Sequence, residues 1–239
     1  MDINIHHCTQ NFWRDGYLHL PGFFAPALMD GLDGLITEHF GAEPAFWHTD
    51  EFLSASQTEV VPWFPQNEGV AAFDEIDADP RFYGLTEAIL GQGWTRHYCM
   101  VMFSKKGTVG QAWHQDCPPE DAAAHNLNRL VYTSDITDAI GGQVVLVPGS
   151  HRAGLLPPGD PHADLAGQRV LTPAKGDLVF LHGHTWHRVL PIREKYRFST
   201  NYRAAPKGTP DDITDVCVYR NMRYRFSTEQ IIEERTPAA

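Results

Sequence analysis

From Trp94 onward the chain reads as a succession of short strands broken by Gly, Pro and Asp turns, and this succession restricts the fold most. "WTRHYCMVMFSK" alternates, with Arg96, Tyr98, Met100 and Met102 on one side. "NRLVYTSDI", "GGQVVLVPGSH", "QRVLTPA", "GDLVFLHG" and "YRFSTNYRA" follow as further strands. No strand alternates with a long helix, so a parallel α/β sheet is not expected. Many short strands with turn residues between them point to a sandwich or jelly roll.

The first part of the chain has a different texture. "FFAPALMDGLDGLITEHFGA" carries Leu28, Leu32, Leu35, Ile36 and Phe40 on one helical face, with Pro26 suited to the first turn and Gly41 to the stop. "DPRFYGLTEAILGQG" predicts a second helix, with Asp79 as N-cap, Pro80 at the first helical position and Gly91 at the end. Between them, residues 43–76 are aromatic and polar without a period, and their length marks a functional loop. Phe46, Trp47, Phe52, Trp63 and Phe64 in that segment are expected to cover a site. There is no repeat and no linker. We therefore expect one mainly β domain with flanking helices (α+β) over 1–239: a helical region and lid over 1–93, the strands over 94–205 and an extension over 206–239.

Hydrophobic residues make up 42% of the chain, enough for a core without a disulfide or metal staple. Cys8, Cys99, Cys117 and Cys217 form no C-x-x-C pair and read as free thiols in a reducing compartment. With no secretory signal pattern and no apolar run that spans a bilayer, a cytoplasmic protein is expected. The net charge of −11 argues against nucleic acid or an anionic membrane as partner, but leaves room for a small anionic ligand.

The chemistry gathers in the strands. In "QAWHQDCPP", His114 and Asp116 stand two apart, a spacing that puts both on one face of a strand. Downstream, "GDLVFLHGHTWHRVLPIREKYRFSTNYR" holds His182, His184, His187, Arg193 and Arg197. Two histidines and a carboxylate on one face of Fe(II) leave three positions open, the arrangement of non-haem iron oxygenases. "HRVLPIREKYR" reads as a hairpin turning at Ile192, which would set His187 directly opposite Arg197. An arginine there would clamp the far carboxylate of an acid that chelates the metal through its near end.

These residues resemble the phytanoyl-CoA dioxygenase-like group of Fe(II)/2-oxoglutarate-dependent oxygenases. The resemblance starts with "FWRDGYLHLPGFFAP" and passes through "WHQD" and "GGQVVLVPGSH" to "GDLVFLHGHTWH" and the arginine after it. It implies a double-stranded β-helix, a jelly-roll relative, over the strand region. It implies His114, Asp116 and His187 as iron ligands, Arg197 on the C5 carboxylate of 2-oxoglutarate, and Gln115, Met102 and Tyr132 lining the cosubstrate pocket. The implied reaction converts 2-oxoglutarate and O2 to succinate and CO2 while a small-molecule substrate is oxidised, by default hydroxylated.

The chain departs from the family at Gly141, where an asparagine is common, and at Val189, where a serine or threonine is. Retention of Asp116 disfavours halogenation. His151, His182 and His184 read as structural, Arg193 and Arg203 as solvated or paired with carboxylates, Cys117 as a small buried residue, and Trp113 and Trp186 as core fillers. The alternatives are a cupin-like metal isomerase or hydrolase without 2-oxoglutarate, which has no use for Arg197, and an inactive binding protein of the same fold.

Overall fold

The computed structural model describes residues 3–41, 60–214, 216–219, 222–226 and 231–235. Phe46, Trp47 and Phe52, expected over the site, lie outside them. Two antiparallel sheets face each other, with strands numbered along the chain. The first runs β1 (Tyr17–Leu20), β8 (Leu178–His182), β5 (Leu127–Val131), β10 (Tyr196–Ala205), β3 (Thr95–Lys105), β2 (Val61–Trp63). The second runs β13 (Ile231–Arg235), β12 (Met222–Phe226), β11 (Val216–Tyr219), β4 (Gln111–Gln115), β9 (His187–Val189), β6 (Val144–Leu146), β7 (Arg169–Leu171). This is the expected double-stranded β-helix arrangement with N-terminal helices.

Helices cover the outer face of the first sheet. The helix α1 (Ile5–Asp15) is capped by the Asn4 side chain, which accepts from His7 N–H, and it stops at Gly16 with φ of 77°. Cys8 and Phe12, an i, i+4 pair, are its buried residues. In α2 (Pro26–Phe40), Leu32, Ile36 and Phe40 are buried as the period requires, joined by Met29, while Leu28 and Leu35 pack at the margin. In α3 (Pro80–Leu90), the Asp79 carboxylate accepts from the N–H groups of Arg81 and Phe82, and the helix ends at Gly91.

Strand alternation divides the side chains between two environments. On β3, Cys99, Val101 and Phe103 join Phe12, Met29 and Phe82 in the core beneath the helices. Tyr98, Met100 and Met102 point the other way, into a cavity between the sheets. On β10, Phe198, Tyr202 and Ala204 enter the same core, whereas Arg197, Ser199, Asn201 and Arg203 face the cavity.

Three features differ from expectation. The chain beyond residue 205 adds β11, β12 and β13 to the second sheet, with β11 paired to β4 through Val218↔Gln115 and Tyr219↔His114. The loop and lid region supplies an edge strand, β2, whose Trp63 is buried in the core and stacked on His39, although Phe64 does line the cavity. The hairpin proposed for His187 and Arg197 does not form. β9 pairs with β4 and β6, and β10 with β3 and β5. Between them the chain is held to other segments: Ile192 N–H donates to Thr108 O and Arg193 N–H to Ile140 O, and Lys195 takes a φ of 53°. These bonds carry the chain from one sheet to the other, so it does not fold back on itself.

Among the described residues, no helix is long and apolar enough to cross a membrane.

Candidate functional site

His114 and His187 are cross-strand partners on β4 and β9. A register shift between Gln111 and His114 turns the His114 side chain inward, and the two ring centroids stand 4.1 Å apart. Each ring is fixed in the same way, with His114 Nδ1 2.7 Å from Ala112 O and His187 Nδ1 2.8 Å from Thr185 O. A carbonyl can only accept, so each Nδ1 carries a proton and each ring turns its Nε2 toward the cavity. Both Nε2 atoms converge on Asp116: His114 Nε2 is 3.8 Å from Oδ1 and His187 Nε2 is 3.4 Å from Oδ2. Burial, followed by repulsion from His187, lowers the pKa of His114 to about 3. Neutral imidazole is the form that ligates metal.

Asp116 lies just beyond the end of β4, where its N–H donates to Gly183 O at 2.7 Å. That bond ties it to the turn carrying His187. Asn128 Nδ2 donates to Asp116 Oδ2 at 2.6 Å, and Asn201 Nδ2 donates to Asn128 Oδ1 at 2.7 Å. Cys217 Sγ is 3.4 Å from Oδ1, and the donor atoms of His114, Asp116 and Cys217 lie within 4.8 Å of one another. Burial alone would raise the Asp116 pKa. The Arg203 guanidinium and then the neighbouring histidines hold it well below the usual carboxylate range. Tyr219 stacks on His114, with ring centroids 5.2 Å apart.

The cavity in front of these groups has a volume of about 160 Å³. Arg197 lies on the opposite wall, buried, with Nε donating to Gly142 O at 2.8 Å and Nη1 to Ser199 Oγ at 3.1 Å. Among the described residues no carboxylate pairs with it. Burial lowers its pKa, as expected for a cation without a counterion. The Tyr132 hydroxyl is buried beside it but out of hydrogen-bond geometry, so both have donor capacity to spare. Gly142 permits the approach: at φ 73°, a methyl there would overlap Arg197 Cδ and come within 2.8 Å of Ile192 Cδ1.

Other residues singled out from the sequence divide by side. Met102 lines the cavity and Tyr132 stands behind Arg197. Gln115 is a correction, because it follows His114 on β4 and so faces away. Its amide donates to Gly154 O and His184 O and accepts from Leu156 N–H, so both of its N–H groups are spent away from the cavity. His151, His182 and His184 pack with His125 outside the cavity, their rings within 4.4–5.2 Å of His182. Trp113 is fully buried, Cys117 is buried and Arg193 is exposed.

Of the two readings of Arg203, solvated or paired with carboxylates, the structure shows the second, an ion pair from Nη2 to Asp116 Oδ1 at 3.7 Å. Arg203 is 5% exposed and lines the cavity. The alternation from Arg197 through "RFSTNYR" could have found it, and Asn201 with it. Asn128, Cys217 and Tyr219 carry no comparable signal, because they reach the site through pairings between distant segments.

The family described as phytanoyl-CoA dioxygenase (PhyH) matches residues 12–193, a span that contains His114, Asp116 and His187 and stops short of Arg197. No curated protein matches the chain by sequence. Among solved structures, the non-heme alpha ketoglutarate dependent epimerase SnoN from nogalamycin biosynthesis superposes with a TM-score of 0.67 at 18% identity, over 98% of this chain and 95% of its own. HygX from Streptomyces hygroscopicus, with nickel and 2-oxoglutarate bound, gives 0.67 at 16% identity, over 84% and 87% of the two chains. The carbocyclase SnoK from nogalamycin biosynthesis gives 0.65 at 16% identity, over 90% and 85%. At such identities the likeness is one of fold.

Proposed function

The chain belongs to the phytanoyl-CoA dioxygenase family, and on that premise we propose that it is an Fe(II)- and 2-oxoglutarate-dependent oxygenase of a small molecule, with hydroxylation as its default outcome. One observation carries the reading. Two histidines and a carboxylate converge on one wall of a cavity whose opposite wall holds a buried arginine with no carboxylate partner among the described residues.

The residues fit the groups the reading requires. His114, Asp116 and His187 would hold the metal, their Nδ1 atoms locked by Ala112 O and Thr185 O. Asn128 keeps the Asp116 carboxylate turned toward the histidines. Arg197 would take the far carboxylate of 2-oxoglutarate through its free N–H groups, with Ser199 and the orphan Tyr132 hydroxyl beside it. Met102, Leu130 and Val144 make the walls between apolar, which keeps water from the bound acid. Iron and 2-oxoglutarate held there would, with dioxygen, supply the oxidising power, at the expense of 2-oxoglutarate converted to succinate and CO2.

A solved form of SnoN holds Fe3+, alpha ketoglutarate and nogalamycin RO, and one of HygX holds nickel, 2-oxoglutarate and hygromycin B. Both lend support to a small-molecule substrate. A second outcome of the same chemistry, epimerisation or ring closure, draws support from SnoN and SnoK. Product mass separates the three, since hydroxylation adds an oxygen, ring closure removes two hydrogens and epimerisation changes nothing.

The test is anaerobic addition of Fe(II) and 2-oxoglutarate, read by the visible metal-to-ligand absorption band, followed by succinate release in air. The expected result is a band that needs both components and succinate that needs the metal. Metal binding without 2-oxoglutarate binding would overturn the reading in favour of a metal enzyme that does not use the cosubstrate.

A further inference from the structure

Arg203 follows Arg197 by six positions on the same face of β10 and brings a second guanidinium into the cavity. At about 3.3 Å per residue, the two Cα atoms stand roughly 20 Å apart along the strand. Arg203 therefore lies beyond the site that holds an acid between Arg197 and the triad. Its Nη1 donates to Asn126 Oδ1 at 3.0 Å, and its guanidinium carbon lies 6.0 Å from the centre of the Tyr98 ring. The remaining donors are less well served. The Nε–H is buried without a partner, and Nη2 makes only a long ion pair with Asp116 Oδ1, at 3.7 Å.

A buried cation with spare donors is costly unless something answers it. Among the described residues lining the cavity, the ionised side chains are Arg197, Arg203 and Asp116, two cations against one anion. A metal dication and the dianion of 2-oxoglutarate cancel each other. Counted over these described residues, the loaded cavity carries one positive charge in excess, and Arg203, with a buried unpartnered Nε–H and an Asp116 that it shares with the metal, is where an anion would meet it. We propose that the substrate is a monoanionic acid whose carboxylate, or an equivalent acidic group, is bound by Arg203 beyond the triad, with its apolar body against Tyr98, Phe64 and Met100. The proposal rests on the oxygenase reading and specifies the substrate class of that site.

The experiment uses the full chain loaded with Ni(II) and saturating 2-oxoglutarate, which does not turn over. Benzoate and cyclohexanecarboxylate are titrated against benzamide and cyclohexanecarboxamide by calorimetry. The acids should bind at least about tenfold tighter than the amides of the same shape, as a charge-assisted contact requires. Arg203→Met should erase the difference, and Arg203→Lys, which keeps the charge, should retain part of it. Equal binding of acids and amides by the parent would overturn the proposal while leaving the oxygenase reading standing. So would an acid preference that survives Arg203→Met, or one that vanishes as 2-oxoglutarate saturates, which would assign it to Arg197. If nickel-loaded protein takes up no 2-oxoglutarate, the oxygenase reading fails. An Arg203-dependent acid preference in that protein would then stand alone.

Discussion

His187 and Arg197 line one cavity from opposite walls, His187 on β9 of the second sheet and Arg197 on β10 of the first. Neighbours along the chain, they share no strand pairing. On the proposed reading, His187 as metal ligand and Arg197 as carboxylate clamp stand on separate sheets and can be removed one at a time.

Replacing His187 by alanine takes one of two ring nitrogens from the convergence on Asp116. Metal affinity should fall by more than the roughly 10–100-fold that losing an outer partner costs, while circular dichroism stays that of the parent. A metal titration in which His187→Ala matches the parent would show that β9 contributes no ligand.

Arg197→Ala should leave metal affinity unchanged and weaken 2-oxoglutarate by about 2–5 kcal/mol, the cost of truncating a buried charge-assisted partner. The anaerobic absorption band, titrated with 2-oxoglutarate, reads this directly. An unchanged midpoint would move the clamp elsewhere.

Gly142→Ala tests the clamp without touching its charge. The added methyl meets Arg197 Cδ and Ile192 Cδ1 at a φ of 73°, so Arg197 must shift from Gly142 O. We expect 2-oxoglutarate affinity to drop and metal affinity to hold. A variant with parental 2-oxoglutarate affinity would mean that the arginine tolerates displacement.

Asn128 donates to Asp116 Oδ2 at 2.6 Å and accepts from Asn201. Asn128→Ala should weaken metal binding about 10–100-fold through the freed carboxylate, and Asn201→Ala should do so less. Equal metal affinity in parent and Asn128→Ala would reduce the amide pair to a packing role.

The histidine cluster predicts acid sensitivity of the fold. Burial, then the neighbouring histidines, hold His182 well below its ordinary value of 6.5. Burial likewise lowers His125, His151 and His184, with Arg152 opposing protonation of His151, and Asp15, Asp121 and Glu120 facing the group as partial counterweights. Below pH 6.5 the unfolded chain takes up protons that the folded chain refuses. The stabilisation is therefore complete above that pH and is lost as pH falls, by up to about 1.4 kcal/mol per pH unit for each histidine. Urea midpoints between pH 7.5 and 5 should decline, and less steeply in His125→Gln. A flat profile over that window would contradict the packing of the cluster.

Much of this was legible along the chain. The alternation of Tyr98, Met100 and Met102 foretold the cavity face of β3, and the Asp79-Pro80 cap marked the start of α3. The His114 and Asp116 spacing pointed to one shared wall. Gln115, between them, was misread because a residue next to a ligand on a strand must face the opposite side. The helix α1 was legible too, since Ile5, Cys8 and Phe12 repeat at helical spacing between the Asn4 cap and Gly16.

What the sequence by itself determined is local: which side chains share a face, where helices begin and end, and which residue types are able to hold a metal or a carboxylate. These follow from backbone periods and capping chemistry within a few residues. Only the tertiary structure decided which strands became neighbours. It took β9 away from β10 and set it between β4 and β6, brought Asn128 to Asp116, and carried Cys217 and Tyr219 back from beyond residue 205. Pairing between distant strands depends on how two whole sheets bury their inner faces against each other. No short stretch of chain contains that information.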